Sequence, residues 1–337
     1  MVDGFEELKK NSTQATLTEE NKQEIRPLTF DDYIGQEEIK RQLKIFIKAA
    51  KMRDKPLSHI LLYGAPGLGK TTLASIIAKE LGVNIHYASG ASIEKPSDLA
   101  TLLVQAEKND IIFIDEIHAL KLQTEEFLHP AMEDFVLDLS IQNGDNTKQV
   151  RIPLSPFTLI GATTKPGSLS KPFRDRFKNQ QQLQYYTINE LIQILKRTAK
   201  ILRIEASEDS LMTIAKRSRQ IARIANNLLS TCGDFAIAEN DSKLTLDVTM
   251  DALSSLAIDE SGLNQIDRQL LFALADNFDN QPTGLKNLAS TLQENVDTLE
   301  TVIEPFLLQS GFLKRTSRGR QLTAQGLAYV EASKKNN

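Results

Sequence analysis

Tryptophan is absent, and the other aromatics are few: 6 tyrosines and 14 phenylalanines in 337 residues. A base-stacking platform draws on exposed aromatic rings, so these side chains point to core packing instead. Cys232 is the one cysteine, which excludes an intrachain disulfide and a cysteine-rich zinc site. Its helical surroundings suit a small packed hydrophobe. His59, His86, His118 and His129 are scattered without zinc-ligand spacing. No apolar run approaches about 18 residues, the length that spans a membrane. The N-terminal MVDGFEELKK has no signal-peptide core, so the expectation is a cytoplasmic protein without a membrane partner. A strong charge of either sign is also missing: 40 basic residues face 44 acidic ones, a net charge of −4. That excludes a general cationic coat, so nucleic-acid contact would need a local basic patch.

The composition is that of an ordinary globular chain, 41% hydrophobic and 25% charged, and its length suggests two or three domains. Residues 1–24 are polar and read as a mobile tail. After Gly35, Ile39, Leu43 and Ile47 recur at helical spacing. Ser58–Gly64, Ile111–Ile114 and Thr158–Gly161 are short apolar runs that read as buried strands, and Thr71–Leu81 reads as a helix. Strands alternating with helices predict a parallel α/β sheet covered on both faces. Residues 136–154 alternate on both sides of Asn143-Gly144-Asp145-Asn146, a hairpin signal. Ile141, next to the turn, is a candidate exposed anchor. From Asn189 to about Ala257 the pattern is helical. Beyond Gly262, three helical stretches precede two short strands around Thr316-Ser317-Arg318-Gly319, which suggests a winged helix.

Gly64-Ala65-Pro66-Gly67-Leu68-Gly69-Lys70-Thr71 matches the phosphate-binding loop G-x-x-x-x-G-K-[ST]. Its glycines turn backbone N–H groups around phosphate oxygens, Lys70 brings charge to them, and the Thr71 hydroxyl suits Mg2+. Ile111-Ile112-Phe113-Ile114 ends in Asp115-Glu116. Asp115 is placed for the Mg2+ shell, and Glu116 to take a proton from an attacking water. No guanine-reading N/T-K-x-D follows, since Thr164-Lys165-Pro166-Gly167 lacks the aspartate, so ATP is expected. Arg174 and Arg176 form either a surface ion-pair cluster or a source of an arginine for transferring phosphate. Residues 314–320 hold Lys314, Arg315, Arg318 and Arg320 with no acid, a candidate phosphate contact at a hairpin tip.

In order along the chain stand Arg26-Pro27, Tyr33-Ile34-Gly35-Gln36, LLYGAPGLGKTTLA, IIFIDEIHAL, PAMEDF, PFTLIGATT, FRDRF, ARIANNLL and GFLKRTSRGR. Together they resemble the RuvB family of AAA+ motors, which drive Holliday-junction branch migration in bacteria, from Arg26 to Tyr329. The loop and the acidic strand end alone would specify only a P-loop ATPase; EDF, GATT, RDRF and KRTSRGR narrow it. The resemblance implies a tail at 1–24, an AAA+ ATPase core at 25–187, a helical lid at 188–258 and a winged-helix DNA-binding domain at 259–337. It implies that Ile25 and Arg26 lie against adenine, and that Gly67, Lys70, Thr71 and Thr72 hold the phosphates. Glu133, Asp134 and Phe135 would lie at a subunit interface near a neighbour's nucleotide. Thr164 matches the sensor on the third strand, with Thr163 the alternative. Arg176 matches the arginine finger, Tyr186 and Arg223 nucleotide-contacting positions, and Arg315 and Arg320 DNA-contacting ones. Expected partners are double-stranded and four-way-junction DNA, RuvA through hairpin 136–154, the RuvC resolvase in a larger complex, and further copies in a homohexamer. Ala65, Ala119, Lys178 and Gln220-Ile221-Ala222 depart from the family pattern, the last replacing Gly-Thr-Pro.

Two other readings share these features. A clamp-loader-like ATPase would have the core and the finger but not a basic wing. An ATP-gated, non-hydrolysing DNA-binding regulator could dispense with Glu116. Turnover with and without DNA separates the three.

Overall fold

The computed structural model describes residues 25–336 except 144 and 145, with the side chains of residues 139–149 and 336 also outside the description. The expected mobile tail lies outside the described residues. The chain divides into two compact units. One runs to Arg203 and includes Gln220–Asn227; the other holds Ile204–Arg219 and the chain from Leu228 onward.

The first unit contains α1 (Glu37–Arg53), β1 (Ile60–Tyr63), α2 (Lys70–Leu81), β2 (Ile85–Ser89), α3 (Pro96–Gln105), β3 (Ile111–Asp115) and α4 (Leu122–Glu133). Next come β4 (Val136–Asn143), β5 (Asn146–Pro153), β6 (Thr158–Thr163), α5 (Lys171–Asp175), β7 (Asn179–Gln182) and α6 (Ile188–Leu202). Five strands form a parallel sheet in the order β2-β3-β6-β1-β7. Parallel neighbours need crossover connections, and helices supply them on both faces. The continuous apolar runs follow from that double cover: Ile60, Leu61, Leu62, Ile111, Ile112 and Ile114 are all fully buried. One side of the core gathers Leu61, Ile112, Ile114, Leu128, Leu137, Phe157, Phe173 and Phe177.

The three strands expected from apolar runs are present. The edge strand β7 has the sequence NQQQ, with only Gln181 buried, and so carries no apolar signal. Strands β4 and β5 pair antiparallel from Val136↔Pro153 to Asn143↔Asn146. Leu137 is buried, and Asp138 pairs with Arg151 at 2.8 Å. The Ile141 side chain is outside the description.

The second unit contains α7 (Glu208–Arg217), most of α8 (Ala222–Glu239) and α9 (Leu246–Ser255), with a two-residue parallel ladder between β8 (Glu205–Ala206) and β9 (Lys243–Leu244). Cys232 is fully buried in α8, and burial pushes its thiol up to about 12. Then follow α10 (Gln265–Phe272), α11 (Leu285–Leu292), α12 (Val296–Thr298), α13 (Glu304–Gln309), β10 (Leu313–Thr316), β11 (Gly319–Leu322) and α14 (Ala324–Asn336). Antiparallel β10 and β11 form the wing, and Thr283 bridges Arg320 on its inner side. Leu270, Leu274, Leu288, Leu299, Ile303, Leu307, Leu313 and Leu322 fill the core. No helix among the described residues is long and apolar enough to cross a membrane.

Arg219, just after α7, is held within this unit by three partners. Its Nε donates to the Gly262 carbonyl at 3.1 Å, its Nη2 donates to Asp267, and its guanidinium lies 4.4 Å from the Phe306 ring centre. Asp267 is fully buried. Arg219→Ala would strand that carboxylate, and the expected loss at neutral pH is about 3–5 kcal/mol, read from the denaturation midpoint. Burial lifts the Asp267 carboxyl above its ordinary value against the opposing charge of Arg219, so removing Arg219 lifts it further. A carboxyl whose folded-state pKa exceeds its unfolded value takes up a proton preferentially in the folded state. The deficit relative to wild type should therefore shrink as the pH is lowered; an equal deficit at neutral and acid pH would refute this account.

Candidate active site

The glycine-rich loop runs from the end of β1 into α2 with Gly67 and Gly69 at φ 82 and 100, left-handed conformations in which a side chain is strained. The space beside them is also filled. A Cβ on Gly67 would stand 2.8 Å from Ile221 and 2.9 Å from Arg223, and one on Gly69 would stand 2.7 Å from the Tyr33 hydroxyl. The chain therefore closes over the loop from two directions. Lys70, the first residue of α2, is buried and donates to the carbonyls of Gly64 at 2.9 Å and Ala65 at 3.0 Å. Burial pulls its pKa down, while Glu116 and Asp115 pull it up.

Helix α2 and strand β3 meet at one point. The Thr71 hydroxyl donates to Asp115 at 3.4 Å, and Asp115 accepts the Glu116 N–H at 3.0 Å. Glu116 sits at φ 46, so the chain turns sharply where its carboxylate is presented. The Thr164 hydroxyl donates to Glu116 Oε2 at 3.4 Å, and His118 Nδ1 lies 3.1 Å from the same oxygen. The Thr163 hydroxyl instead meets His118 at 2.9 Å. Of the two sensor candidates, Thr164 touches the carboxylate directly and Thr163 through the imidazole.

A cavity of about 620 Å³ gathers ten of the expected residues: Ile25, Arg26, Gly67, Lys70, Thr71, Thr72, Asp115, Glu116, Tyr186 and Arg223. The Tyr186 hydroxyl donates to the Leu68 carbonyl at 3.0 Å, and the Arg223 N–H to the Gly67 carbonyl at 3.3 Å. Sequence reasoning missed Tyr33, Arg197 and Asn226 in the same wall. Arg197 on α6 donates to the carbonyls of Ile25 at 2.5 Å and Arg26 at 3.3 Å, which fixes that segment. Nothing in the local pattern around Arg197 marks it; its partners lie 172 and 171 residues away.

Glu133, Phe135 and Arg176 are absent from this cavity and line a second one of about 830 Å³ with His59, Lys171 and Lys178. There Arg176 pairs with Glu133 at 3.1 Å and donates to the Pro172 carbonyl at 2.7 Å, while its buried Nε has no partner. Asp134 is exposed at the end of α4. On the wing, Lys314, Arg315 and Arg318 are exposed, whereas the Arg320 side chain is 17% exposed. Arg315 and Arg320 both bond Glu304.

Gly90, just after β2, is a further position that the sequence did not mark. A Cβ there would stand 2.4 Å from the Glu116 carbonyl oxygen, a contact between two backbones that no rotamer change relieves. Gly90→Ala should displace Glu116 and lower turnover of bound nucleotide by about 10²-fold, with nucleotide affinity largely kept. Steady-state hydrolysis alongside a binding titration checks this; an unchanged kcat would remove Gly90 from the account.

Three family models match the chain: the Holliday junction DNA helicase RuvB P-loop domain over residues 25–183, the RuvB AAA lid domain over 186–259, and the RuvB C-terminal winged helix domain over 260–331. Among solved structures, the Thermotoga maritima RuvB Holliday junction branch migration motor is 42% identical, with a TM-score of 0.83 over 91% of this chain and 98% of that one. Two single-substitution variants of the same protein match over the same shares, with TM-scores of 0.84 at 41% identity and 0.82 at 42% identity. The chain belongs to the RuvB family of Holliday-junction branch-migration ATPases.

Proposed function

We propose that the chain hydrolyses ATP at a site completed by a neighbouring subunit and uses the cycle to move duplex DNA at a Holliday junction. The observation that carries this reading is the division of the expected residues. Those expected to bind nucleotide and activate water line one cavity, and Arg176 lines another. Within one subunit the phosphates would meet Lys70 and the backbone of the loop, but no arginine finger. In a homohexameric ring, Arg176 of one copy would reach the nucleotide of the next, with Glu133, Asp134 and Phe135 at the same interface.

Ile25, Arg26 and Tyr186 form the nucleoside end of the cavity, and Gly67, Lys70, Thr71 and Thr72 the phosphate end. The Thr71 hydroxyl and the Asp115 carboxylate are hard oxygen donors of the kind Mg2+ takes. Mg2+ keeps several waters and shares its ligands with phosphates, so two protein oxygens would serve it. An Mg2+ ion held there would supply charge that offsets the phosphates. Glu116 Oε2, steadied by Thr164 and His118, accepts the proton of the attacking water. Thr164 and Arg223 then report the state of the phosphates, Arg223 from the first turn of α8. We divide the chain accordingly into an ATPase core at 25–187, a lid at 188–258 and a winged helix at 259–337 that meets DNA through Arg315 and Arg320. Hairpin 136–154 is the proposed dock for RuvA, with RuvC joining the larger complex, and the cytoplasm is the place of work.

Glu116→Gln should bind ATP normally and lose turnover by about 10²–10⁴-fold, whereas Lys70→Ala should lose binding as well. Wild-type hydrolysis in Glu116→Gln would remove it as the base. Arg176→Ala should lower turnover by about 10³–10⁵-fold. Mixed with Lys70→Ala subunits, which still donate an arginine, it should regain part of the activity. Mixed rings that form but stay inactive would place Arg176 in its own subunit's site. Branch migration of a synthetic four-way junction tests the whole reading.

A further inference from the structure

Arg315 and Arg320 are direct cross-strand partners in the wing. Like charges placed opposite each other on a hairpin repel, so the arrangement needs a counter-charge. Glu304, the first residue of α13 and 1% exposed, supplies it. Its Oε1 accepts the Nε of both arginines at 2.8 Å, and its Oε2 accepts the Nη2 of both at 3.0 Å. One carboxylate thereby receives four charge-assisted bonds, about its full acceptor capacity. Burial would raise the Glu304 carboxyl, but the bonds from Arg315 and Arg320 hold it below its ordinary value.

The two arginines are not equivalent. The backbone of Arg320 exchanges hydrogen bonds with Thr283 at 2.8 and 2.9 Å. Its side chain is 17% exposed, and Glu300 adds a second acid 3.9 Å away. Arg320 is therefore fixed by its backbone bonds and its burial, although Glu300 also acts on Arg315. Arg315 is 53% exposed. Its Nε–Nη2 edge rests on Glu304, and among the described residues its Nη1 corner bonds no acceptor.

We propose that Glu304 is a positioning residue for DNA binding: anchored on Arg320, it holds the Arg315 guanidinium in one orientation toward a duplex phosphate. The inference rests on the wing being the DNA surface, and Arg320 anchors Glu304 whether or not it also meets a phosphate. Its physical benefit is that the rotamer freedom of Arg315 is already lost before DNA arrives, so binding does not have to overcome it.

The test is duplex DNA binding by the full chain across a salt series. Arg315→Ala should weaken binding and flatten the slope of log K against log salt by about 0.9. Glu304→Gln should weaken binding roughly three- to tenfold and leave ATP hydrolysis without DNA unchanged. In the Arg315→Ala background, Glu304→Gln should have no further effect on DNA affinity, because it acts through Arg315. Glu304→Asp, which keeps the charge but is one methylene shorter, should fall between wild type and Glu304→Gln. An equal loss from Glu304→Gln in both backgrounds would reduce it to general support of the wing. Tighter binding would make it a competitor of phosphate. Either result overturns the proposal. If Glu304→Gln fails to fold, the same cycle with Glu304→Asp decides: any loss must vanish in the Arg315→Ala background. An unchanged affinity and slope in Arg315→Ala itself is a different result, and would remove the wing from the DNA surface.

Discussion

The parallel pairing of β1, β3 and β6 is the constraint on which the active site depends. Tyr63 is in register with Thr163, and Ile114 with Gly161. Adjacent parallel strands end on the same side, where ligand crevices of open α/β sheets form. The glycine loop after β1, the Asp115-Glu116 pair after β3 and Thr163-Thr164 after β6 therefore emerge together from three distant stretches of chain. The Gly64 N–H donates to the Thr163 carbonyl at 3.3 Å, which extends the ladder into the loop itself. Because the strands are buried up to their last residues, the points at which Asp115, Glu116, Thr163 and Thr164 emerge are fixed. Under the proposed function, charge preorganised in this way needs no reorganisation when the reaction begins.

The separation of Arg176 from that crevice carries a second consequence. Arg176 is tied to Glu133 and Pro172 in its own subunit, so a phosphate elsewhere would have to compete with Glu133 for it. Under the proposed ring, that competition is set by a neighbour's nucleotide. The site would then be strong in binding within one subunit and weak in turnover until a second copy supplies charge to the transferring phosphoryl group.

The phosphate loop and the acidic strand end were legible because their chemistry is local: glycines, a lysine, a hydroxyl and two acids at fixed spacing, bounded by apolar runs. The edge strand Asn179–Gln182 was not, since four polar residues beside one neighbour give no alternation. Gly90, Arg197 and Glu304 were also invisible, because each matters only through partners far away in the chain, and Tyr33 stood in a recognised motif without a role. The departure at Gln220-Ile221-Ala222 has a physical reading. Gln220, at the position where the resemblance implies glycine, adopts φ 59, a left-handed conformation that costs a non-glycine residue about 1–2 kcal/mol. Helix α8 still begins at Ala222, and the Arg223 N–H still reaches Gly67. The loop is strained there, and Arg223 remains in the cavity wall.

Charge is divided within the winged helix in a way that net charge conceals. The chain totals −4, and the helical run from Val296 to Gln309 begins with the exposed acids Asp297 and Glu300. Such a helix end disfavours close approach to phosphate, and base reading from a groove requires that approach. The wing, by contrast, carries exposed positive charge at Lys314, Arg315 and Arg318. Phosphate contacts position a protein on a duplex without reading its sequence. A motor moving along DNA must meet every base pair with similar affinity, so a basic wing beside an acidic helix favours passage over recognition. The buried carboxylate of Glu304 reconciles the two charges at their junction, where it belongs to the helical run by sequence and to the wing by its bonds.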